Sequence, residues 1–272
     1  MRGIFMKNNA YRHELKYLID ETQQALMRLK MRHLLEPDSH AENGRYLIRS
    51  LYFDDLWNSA HNEKEDGILL RKKYRIRIYN YSDQVIRLER KKKYGAYILK
   101  ESAPLTREQV EMILAGEYGF LLKSPQPLCR EFYVECVCNG MRPRTIADYD
   151  REPWIQPEGS VRITFDTDVR AAVGGFDIFD PTLATLPVLE PNRLILEVKF
   201  TEFLPGILRD ILPPDAAECT AVSKFDLCYN KTQYLNGFEY WEDVYQGYYP
   251  LGGTQHEYTR YHKEINSGIC RF

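Results

Sequence analysis

Basic residues recur at alternate positions in two runs between Arg71 and Lys93. The runs read RKKYRIRIYN and IRLERKKK, and this stretch carries ten of the 37 lysines and arginines in the chain. Successive side chains of a β-strand point to opposite faces, so Arg75 and Arg77 share one face, as do Lys91 and Lys93. Arginine and lysine donate charge-assisted hydrogen bonds to anionic oxygens. Rows of such cations predict the binding of a polyanion.

The elements that would position these cations form a β-hairpin. The polar residues Tyr81–Gln84 between the two runs are typical of a turn. Glu89 shares the face of Lys91 in the second strand. The remaining basic residues of the hairpin are expected to point away from the ligand: Lys72, Lys73, Arg90 and Lys92.

Other segments repeat this one-sided charge. Three further segments have a polar face of this kind. It carries Arg12, Glu14 and Lys16 in the 11–19 segment, Arg162, Thr164 and Asp166 in the 160–168 segment, and Glu197 and Lys199 in the 194–200 segment. Two interpretations follow: an ordinary sheet with one solvated face, or a closed barrel with a polar interior and helices outside. Recurrent lysine and arginine favour the barrel. The glutamates would then either neutralise the cations or hold a hard divalent metal ion.

The chain is predicted to be a single α+β domain over 1–272, with a core at about 11–235 and an unassigned tail. Asp20 with Gln23, and Thr106 with Gln109, are capping-box pairs that predict helices over 20–35 and 106–115. Alternating patterns predict strands over 11–19, 45–54, 144–151, 160–168 and 194–200, and 223–235 is expected to be helical. The 157–160 segment is expected to turn between two of these strands.

Composition excludes several classes of protein. The net charge of −2 disfavours a protein that coats duplex nucleic acid, since such proteins are usually basic overall. Six cysteines without a CxxC pair, and no secretory signal, predict reduced thiols and a cytoplasmic location. No window approaches 18 apolar residues, so no membrane span is expected. Any membrane role would need a separate partner protein.

Eight short motifs, taken in order, resemble the VTC domain of polyphosphate polymerases, within the triphosphate tunnel (CYTH-like) superfamily. They cover nearly the whole chain through residue 235 and read HELKYLI (13–19), IRSLYFDD (48–55), KYRIRIY (73–79), RLERKKK (87–93), YDR (149–151), RITFD (162–166), LILEVKF (194–200) and SKF (223–225).

The resemblance implies a closed antiparallel β-barrel tunnel with flanking helices. It also implies an enzyme that transfers the γ-phosphoryl group of ATP to a growing polyphosphate chain with Mn²⁺ or Mg²⁺. Triphosphate or polyphosphate hydrolysis, and polyphosphate binding without catalysis, are the alternatives. The sequence leaves nucleotide preference, chain length and oligomeric state open.

The resemblance also assigns roles to individual residues. The catalytic residues that it implies are Arg75, Arg77, Lys91, Arg151 and Arg162. Those expected to bind phosphate are Lys16, Lys93, Lys199, Ser223, Lys224 and Tyr149. Those expected to hold the metal are Glu197, Glu14 and Glu89.

Two positions depart from the family's pattern. Arg12 replaces the first acid of the ExExK motif of the superfamily, which disfavours a two-metal hydrolytic site. Ala221 stands where some polymerases carry a further lysine, a position that bears on affinity for the acceptor chain.

Overall fold

The computed structural model describes residues 13–95, 97–156, 161–213 and 222–235. Over these residues ten strands form one sheet. The strands are β1 (His13–Asp20), β2 (Glu36–Pro37), β3 (Tyr46–Asp54), β4 (Leu70–Tyr79), β5 (Ser82–Tyr94), β6 (Tyr97–Leu105), β7 (Arg142–Ile155), β8 (Val161–Ala172), β9 (Thr185–Pro187) and β10 (Arg193–Phe200).

The strand order is β1-β10-β8-β7-β3-β4-β5-β6, and every described pair of neighbours is antiparallel. The short strands β2 and β9 extend the sheet beside β7 and β8. The prediction of an α+β fold with antiparallel strands is therefore confirmed. The turn predicted at 157–160 and the tail at 247–272 lie outside the described residues, as do Arg12 and Ala221.

The prediction of a closed barrel is wrong in one respect. Over the described residues, no backbone ladder joins β1 to β6, and these strands form the two ends of the sheet. The residues of β6 are typical of an edge strand: Pro104 has no N–H to donate to a further strand, and Lys100 is exposed. Side chains connect the two ends instead, as described below.

Seven helices are described: α1 (Glu21–Met31), α2 (Ser59–Glu65), α3 (Arg107–Leu114), α4 (Gly119–Leu122), α5 (Pro127–Cys138), α6 (Gly206–Arg209) and α7 (224–235). Both predicted capping boxes are confirmed. The Asp20 side chain accepts from Gln23 N at 2.7 Å, and Gln23 Oε1 accepts from Asp20 N at 2.9 Å. Thr106 and Gln109 make the same two bonds at 3.2 and 3.0 Å.

The hairpin turn lies one residue earlier than the sequence predicted. Asn80 and Tyr81 form the turn with φ angles of 50° and 56°, and β5 already begins at Ser82. A two-residue hairpin loop with both residues left-handed matches the twist of its flanking strands, and asparagine tolerates that conformation. Asn80 Oδ1 also accepts a hydrogen bond from Leu47 N at 2.9 Å, which fixes the turn against β3.

Apolar side chains pack on the face of the sheet that lies opposite the charged one. Ile76 and Leu88 alternate with the charged residues of the hairpin and pack, fully buried, with Phe132 of α5. Ile163 and Leu196 do the same with Met27 of α1 on the other half of the sheet. Part of the charged face is also covered, because Phe225 of α7 packs there against Ile48 and Tyr52 of β3, and the rest of that face lines an interior space. No helix among the described residues is long and apolar enough to cross a membrane, and the cytoplasmic location stays a prediction.

Candidate functional site

One cavity of about 680 Å³ is enclosed by the charged face of the sheet. All fourteen residues predicted for the site line it. Thirteen lysines and arginines and three glutamates contribute to the wall, which is a surplus of ten positive charges. Four acidic residues that do not line the cavity pair with wall cations and reduce the surplus to six, namely Asp38, Glu65, Asp166 and Asp226. The cavity therefore has the electrostatics of an anion-binding site.

Arg75 and Arg77 of β4 are fixed by neighbouring side chains. Arg75 donates to Glu89 through Nε at 2.8 Å and to the Tyr52 hydroxyl through Nη1 at 3.0 Å. Arg77 donates to the Tyr149 hydroxyl through Nη2 at 3.0 Å. Because these bonds hold the guanidinium groups in place, little conformational freedom is lost when an anion binds.

Glu89 is surrounded by cations from three directions. Its carboxylate lies 2.5 Å from Lys100 Nζ, 2.7 Å from Arg75 Nη2 and 3.9 Å from Arg77 Nη1. Burial raises the pKa of Glu89, but the three cations outweigh burial and hold this pKa well below its usual range. Burial, together with repulsion from the two arginines, lowers the pKa of Lys100 to about 8 although Glu89 partly offsets them.

A second group of charges alternates across β1 and β10. Glu14 stands opposite Lys199 in the register, and Lys16 stands opposite Glu197. Lys16 Nζ lies 3.6 Å from Glu14 and 3.9 Å from Glu197, and Lys199 Nζ donates to Glu197 at 2.7 Å. For both glutamates, burial raises the pKa and the surrounding lysines more than reverse the effect, so both carboxylates are ionised.

Lys91 reaches this second group from β5. Its ammonium donates to Glu14 Oε2 at 2.8 Å. Burial lowers the pKa of Lys91 to about 8, and repulsion from Lys16 and Lys199 adds to burial, whereas Glu14 opposes both. A cation with a pKa near physiological pH is therefore directed into the cavity.

Arg151 and Lys224 form a buried network behind the second group. Arg151 donates to Glu197 at 3.2 Å, and Lys224 of α7 donates to the other oxygen of Glu197 at 3.0 Å. The Tyr149 ring lies below both cations, at 5.4 and 4.7 Å from its centroid. Burial lowers the pKa of Lys224, but Asp166 and Glu197 outweigh burial and raise the pKa above its ordinary value.

The remaining predicted residues lie towards the rim. Arg162 donates to Asp38 at 2.7 Å and to the Tyr46 hydroxyl at 2.9 Å. Lys93 lines the cavity, and its pKa is lowered by burial and by repulsion from neighbouring cations. Ser223 Oγ lies 3.5 Å from Lys73 Nζ.

The expectation that Lys73 points away from the ligand is wrong. Lys73 lines the cavity, as does Arg71, because both share the parity of Arg75. Its ammonium donates to Asp226 at 2.9 Å, and burial lowers its pKa despite that partner. Lys100 is a further residue that was not predicted, because the consecutive apolar residues 97–99 before it give no alternating pattern.

The three predicted metal ligands do not converge as one set among the described residues. The group of three potential ligands that lie close together in this part of the chain is His61, Glu65 and Asp226. The ammonium of Lys73 already lies 2.9 Å from Asp226. Of the predicted ligands, Glu14 and Glu197 both lie near Lys16, whereas Glu89 pairs with Arg75 and Lys100.

The fold and this cavity define a class of α+β protein in which an antiparallel sheet encloses a space lined by lysine and arginine. The chain belongs to the VTC domain family, whose family model matches residues 11–232. The resemblance drawn from the sequence is thus confirmed. A search of curated proteins found no match.

Several solved structures are similar to the chain. The PH1819 protein from Pyrococcus horikoshii OT3 shares 13% identity over 81% of this chain and 99% of that chain, with a TM-score of 0.44. A putative adenylate cyclase from Bacillus halodurans shares 14% identity over 70% of this chain and 82% of that chain, with a TM-score of 0.39.

Proposed function

We propose that this protein transfers the γ-phosphoryl group of ATP to the end of a polyphosphate chain, with Mn²⁺ or Mg²⁺ as cofactor. The observation that carries the proposal is the surplus of cations around one cavity, in a chain of the VTC domain family. A cavity of about 680 Å³ favours a thin, highly charged ligand over duplex nucleic acid. Each phosphate of such a chain brings at least one negative charge to the wall.

The proposed reaction needs no covalent nucleophile on the protein. A terminal oxygen of the acceptor chain forms a bond to the γ-phosphorus, the bond from that phosphorus to the β–γ bridging oxygen breaks, and ADP leaves with the electron pair. Catalysis then comes from alignment and from stabilisation of the charge on the transferring group.

Arginines that neighbouring side chains already hold in place suit the stabilisation of a transferring phosphoryl group. Arg75, Arg77 and Arg151 are held by tyrosine, glutamate and aspartate side chains, so their guanidinium groups are positioned before substrate binds. We assign transition-state stabilisation to these three arginines. The same proposed role extends to Lys91 and Arg162, which direct charge into the cavity from β5 and β8.

Phosphate binding along the rest of the chain is assigned to the other predicted residues. The lysines contribute ammonium groups from β1, β5, β10 and α7, and the hydroxyl groups donate neutral hydrogen bonds. These residues are Lys16, Lys93, Lys199, Ser223, Lys224 and Tyr149.

We assign the divalent metal ion to Glu14 and Glu197, whose carboxylates accept hydrogen bonds from Lys91, Lys199 and Lys224, so a bound metal would displace ammonium groups from the oxygens that it takes. Both carboxylates are ionised and lie on either side of the Lys16 ammonium. Mg²⁺ is commonly held by one or two carboxylates together with substrate phosphates and water. A bound metal would neutralise charge on the phosphate oxygens. Glu89 fits a positioning role better, because it holds Arg75 and Lys100.

The product formed from ATP and Mn²⁺ tests the proposal. We expect an acid-labile polymer that is visible on a polyphosphate gel and is degraded by an exopolyphosphatase. If the products are orthophosphate and ADP without polymer, the protein is a hydrolase and not a polymerase. If tripolyphosphate binds without turnover, the protein is a polyphosphate-binding module without catalytic activity. Arg77→Gln should abolish the product, whereas Lys92→Gln, on the outer face of the same hairpin, should not.

A further inference from the structure

The two ends of the sheet lie side by side at one wall of the cavity. Over the described residues, β1 pairs with β10 and β6 pairs with β5, and no backbone ladder spans the gap between β1 and β6. We call this gap the seam. Lys91 crosses it with one hydrogen bond of 2.8 Å to Glu14, and the rings of His13 and Tyr97 lie 6.1 Å apart.

These contacts lie near the starts of β1 and β6. Further along β6, the residues that share the face of Lys100 are exposed, namely Ser102 and Pro104. On the opposite wall, the cavity-lining residues are closed in, with Arg77 and Arg151 each 6% exposed. The cavity lining on β6 therefore ends at Lys100, and the same face of the strand is exposed to solvent beyond it.

The bond that crosses the seam involves a cation that faces the cavity. Lys91 lines the cavity, and 36% of its side chain is exposed. The side chain of its partner Glu14 is 7% exposed. An anion that binds Lys91 replaces Glu14 as its partner, so it removes a contact across the seam as it enters. By contrast, eight residue pairs connect β1 to β10 on the other side.

We propose that polyphosphate enters the cavity sideways through the seam, so that the site first binds an internal segment and the chain then slides along the cavity until one end reaches the position for transfer. This inference rests on the proposed function. A long polymer would then be loaded without threading an end through the cavity. The class of ligand that follows is an inorganic polyphosphate chain with both ends blocked, which would bind but could not be extended.

A chain with two bulky ends tests this route. Long-chain polyphosphate is labelled with biotin at both ends and capped with streptavidin, which is too wide for a cavity of about 680 Å³. The capped chain is compared with the uncapped chain for its ability to displace fluorescent tripolyphosphate from the full-length protein. We expect equal displacement by the two chains.

The outcomes separate this inference from the proposed function. If tripolyphosphate itself does not bind, both the proposed function and entry through the seam are contradicted. If tripolyphosphate and the uncapped chain bind while the capped chain fails to displace, the cavity binds polyphosphate by threading and the seam inference alone is overturned.

A variant whose seam is closed by a covalent cross-link provides the second test. His13→Cys and Tyr97→Cys are joined by a short bismaleimide, in a background with Cys138, Cys219 and Cys270 replaced by serine, which removes the exposed thiol of the described residues and the two thiols outside them. We expect the cross-linked protein to keep its affinity for tripolyphosphate and to lose affinity for the capped chain by about tenfold or more. The same variant before cross-linking is the control. Equal affinity for the capped chain after cross-linking would overturn entry through the seam.

Discussion

Asp166 accepts two hydrogen bonds of 2.6 Å from Arg151, one from Nε and one from Nη2. The carboxylate is fully buried, and it also lies 2.5 Å from Lys224 Nζ. Burial raises the pKa of Asp166, but the two cations outweigh burial and hold this pKa below its usual range. Asp166 therefore orients two cavity cations, although it does not itself line the cavity.

Replacement of Asp166 by asparagine should destabilise the fold. The variant leaves Arg151 and Lys224 to share the buried carboxylate of Glu197 with Lys199, and breaking a buried ion pair costs about 3–5 kcal/mol. Urea unfolding followed by circular dichroism measures this loss as a lower midpoint. The matched control is Asp168→Asn, two residues along β8, since Asp168 is exposed and pairs with Arg170 at the surface.

The control should change the free energy of unfolding by less than about 1 kcal/mol, as is usual for surface pairs. Asp168 has a φ angle of 49°, a conformation that asparagine also tolerates. Equal urea midpoints for the two variants would contradict an orienting role for Asp166.

Neighbouring lysines on β5 should differ sharply in their contribution to binding. Lys91 lines the cavity, whereas Lys92 lies on the outer face and pairs with Glu101 at 3.5 Å. Hydrogen bonds to charged groups contribute about 1.5–3 kcal/mol. Lys91→Gln should therefore weaken tripolyphosphate binding by roughly tenfold to a hundredfold, and Lys92→Gln should leave it nearly unchanged. Isothermal titration calorimetry measures both, and similar losses would argue for surface binding.

Strand parity explains why so much of the cavity could be predicted from the sequence. Alternation alone placed Arg75 and Arg77 on one face and Lys91 on the facing strand, because a strand has a fixed two-residue period. The same rule, applied consistently, would have included Lys73. Lys100 could not be placed in this way, because its segment lacks the alternation of a half-buried strand and is compatible with a loop or a strand extension.

Closure and charge pairing could not be predicted in this way. Parity gives the face of a residue, but whether β1 reaches β6 depends on the twist and curvature accumulated over eight strands. The pairing of Glu89 with Lys100, or of Glu197 with Lys224, depends on register and on where α7 packs. Such contacts join positions that lie far apart in the sequence.

Binding of tripolyphosphate should weaken as the pH rises above 8. The pKa values of Lys91 and Lys100 are both about 8 in the unliganded protein. Below pH 8 both lysines are charged and attract the anion; above it, each must first regain a proton. Affinity should then fall by up to about tenfold per pH unit for each lysine.

Calorimetry between pH 7 and pH 9.5 measures this fall in affinity. The double variant Lys91→Gln with Lys100→Gln should show a flatter profile, because the groups that lose protons are gone. An affinity that stays constant or rises across this range in the unmodified protein would contradict the assignment of these lysines to the binding site.

Glu197→Gln should separate metal use from phosphate binding. The substitution keeps the shape of the side chain and removes one negative charge beside Lys199, Lys224 and Arg151. With a chelator present, tripolyphosphate should bind as tightly as before or more tightly, because the wall becomes more positive. With Mn²⁺ and ATP, turnover should fall by about a hundredfold or more, since one of the proposed metal ligands is lost.

The matched control is Glu89→Gln, which removes another buried carboxylate from the same wall. Because Glu89 pairs with Arg75 and Lys100, we expect this variant to bind Mn²⁺ in the presence of tripolyphosphate as the unmodified protein does. Paramagnetic resonance of Mn²⁺ measures that binding directly and does not depend on turnover. Unchanged Mn²⁺ binding and unchanged product formation in Glu197→Gln would remove the metal role from Glu197, and a loss of Mn²⁺ binding in Glu89→Gln would return it to Glu89.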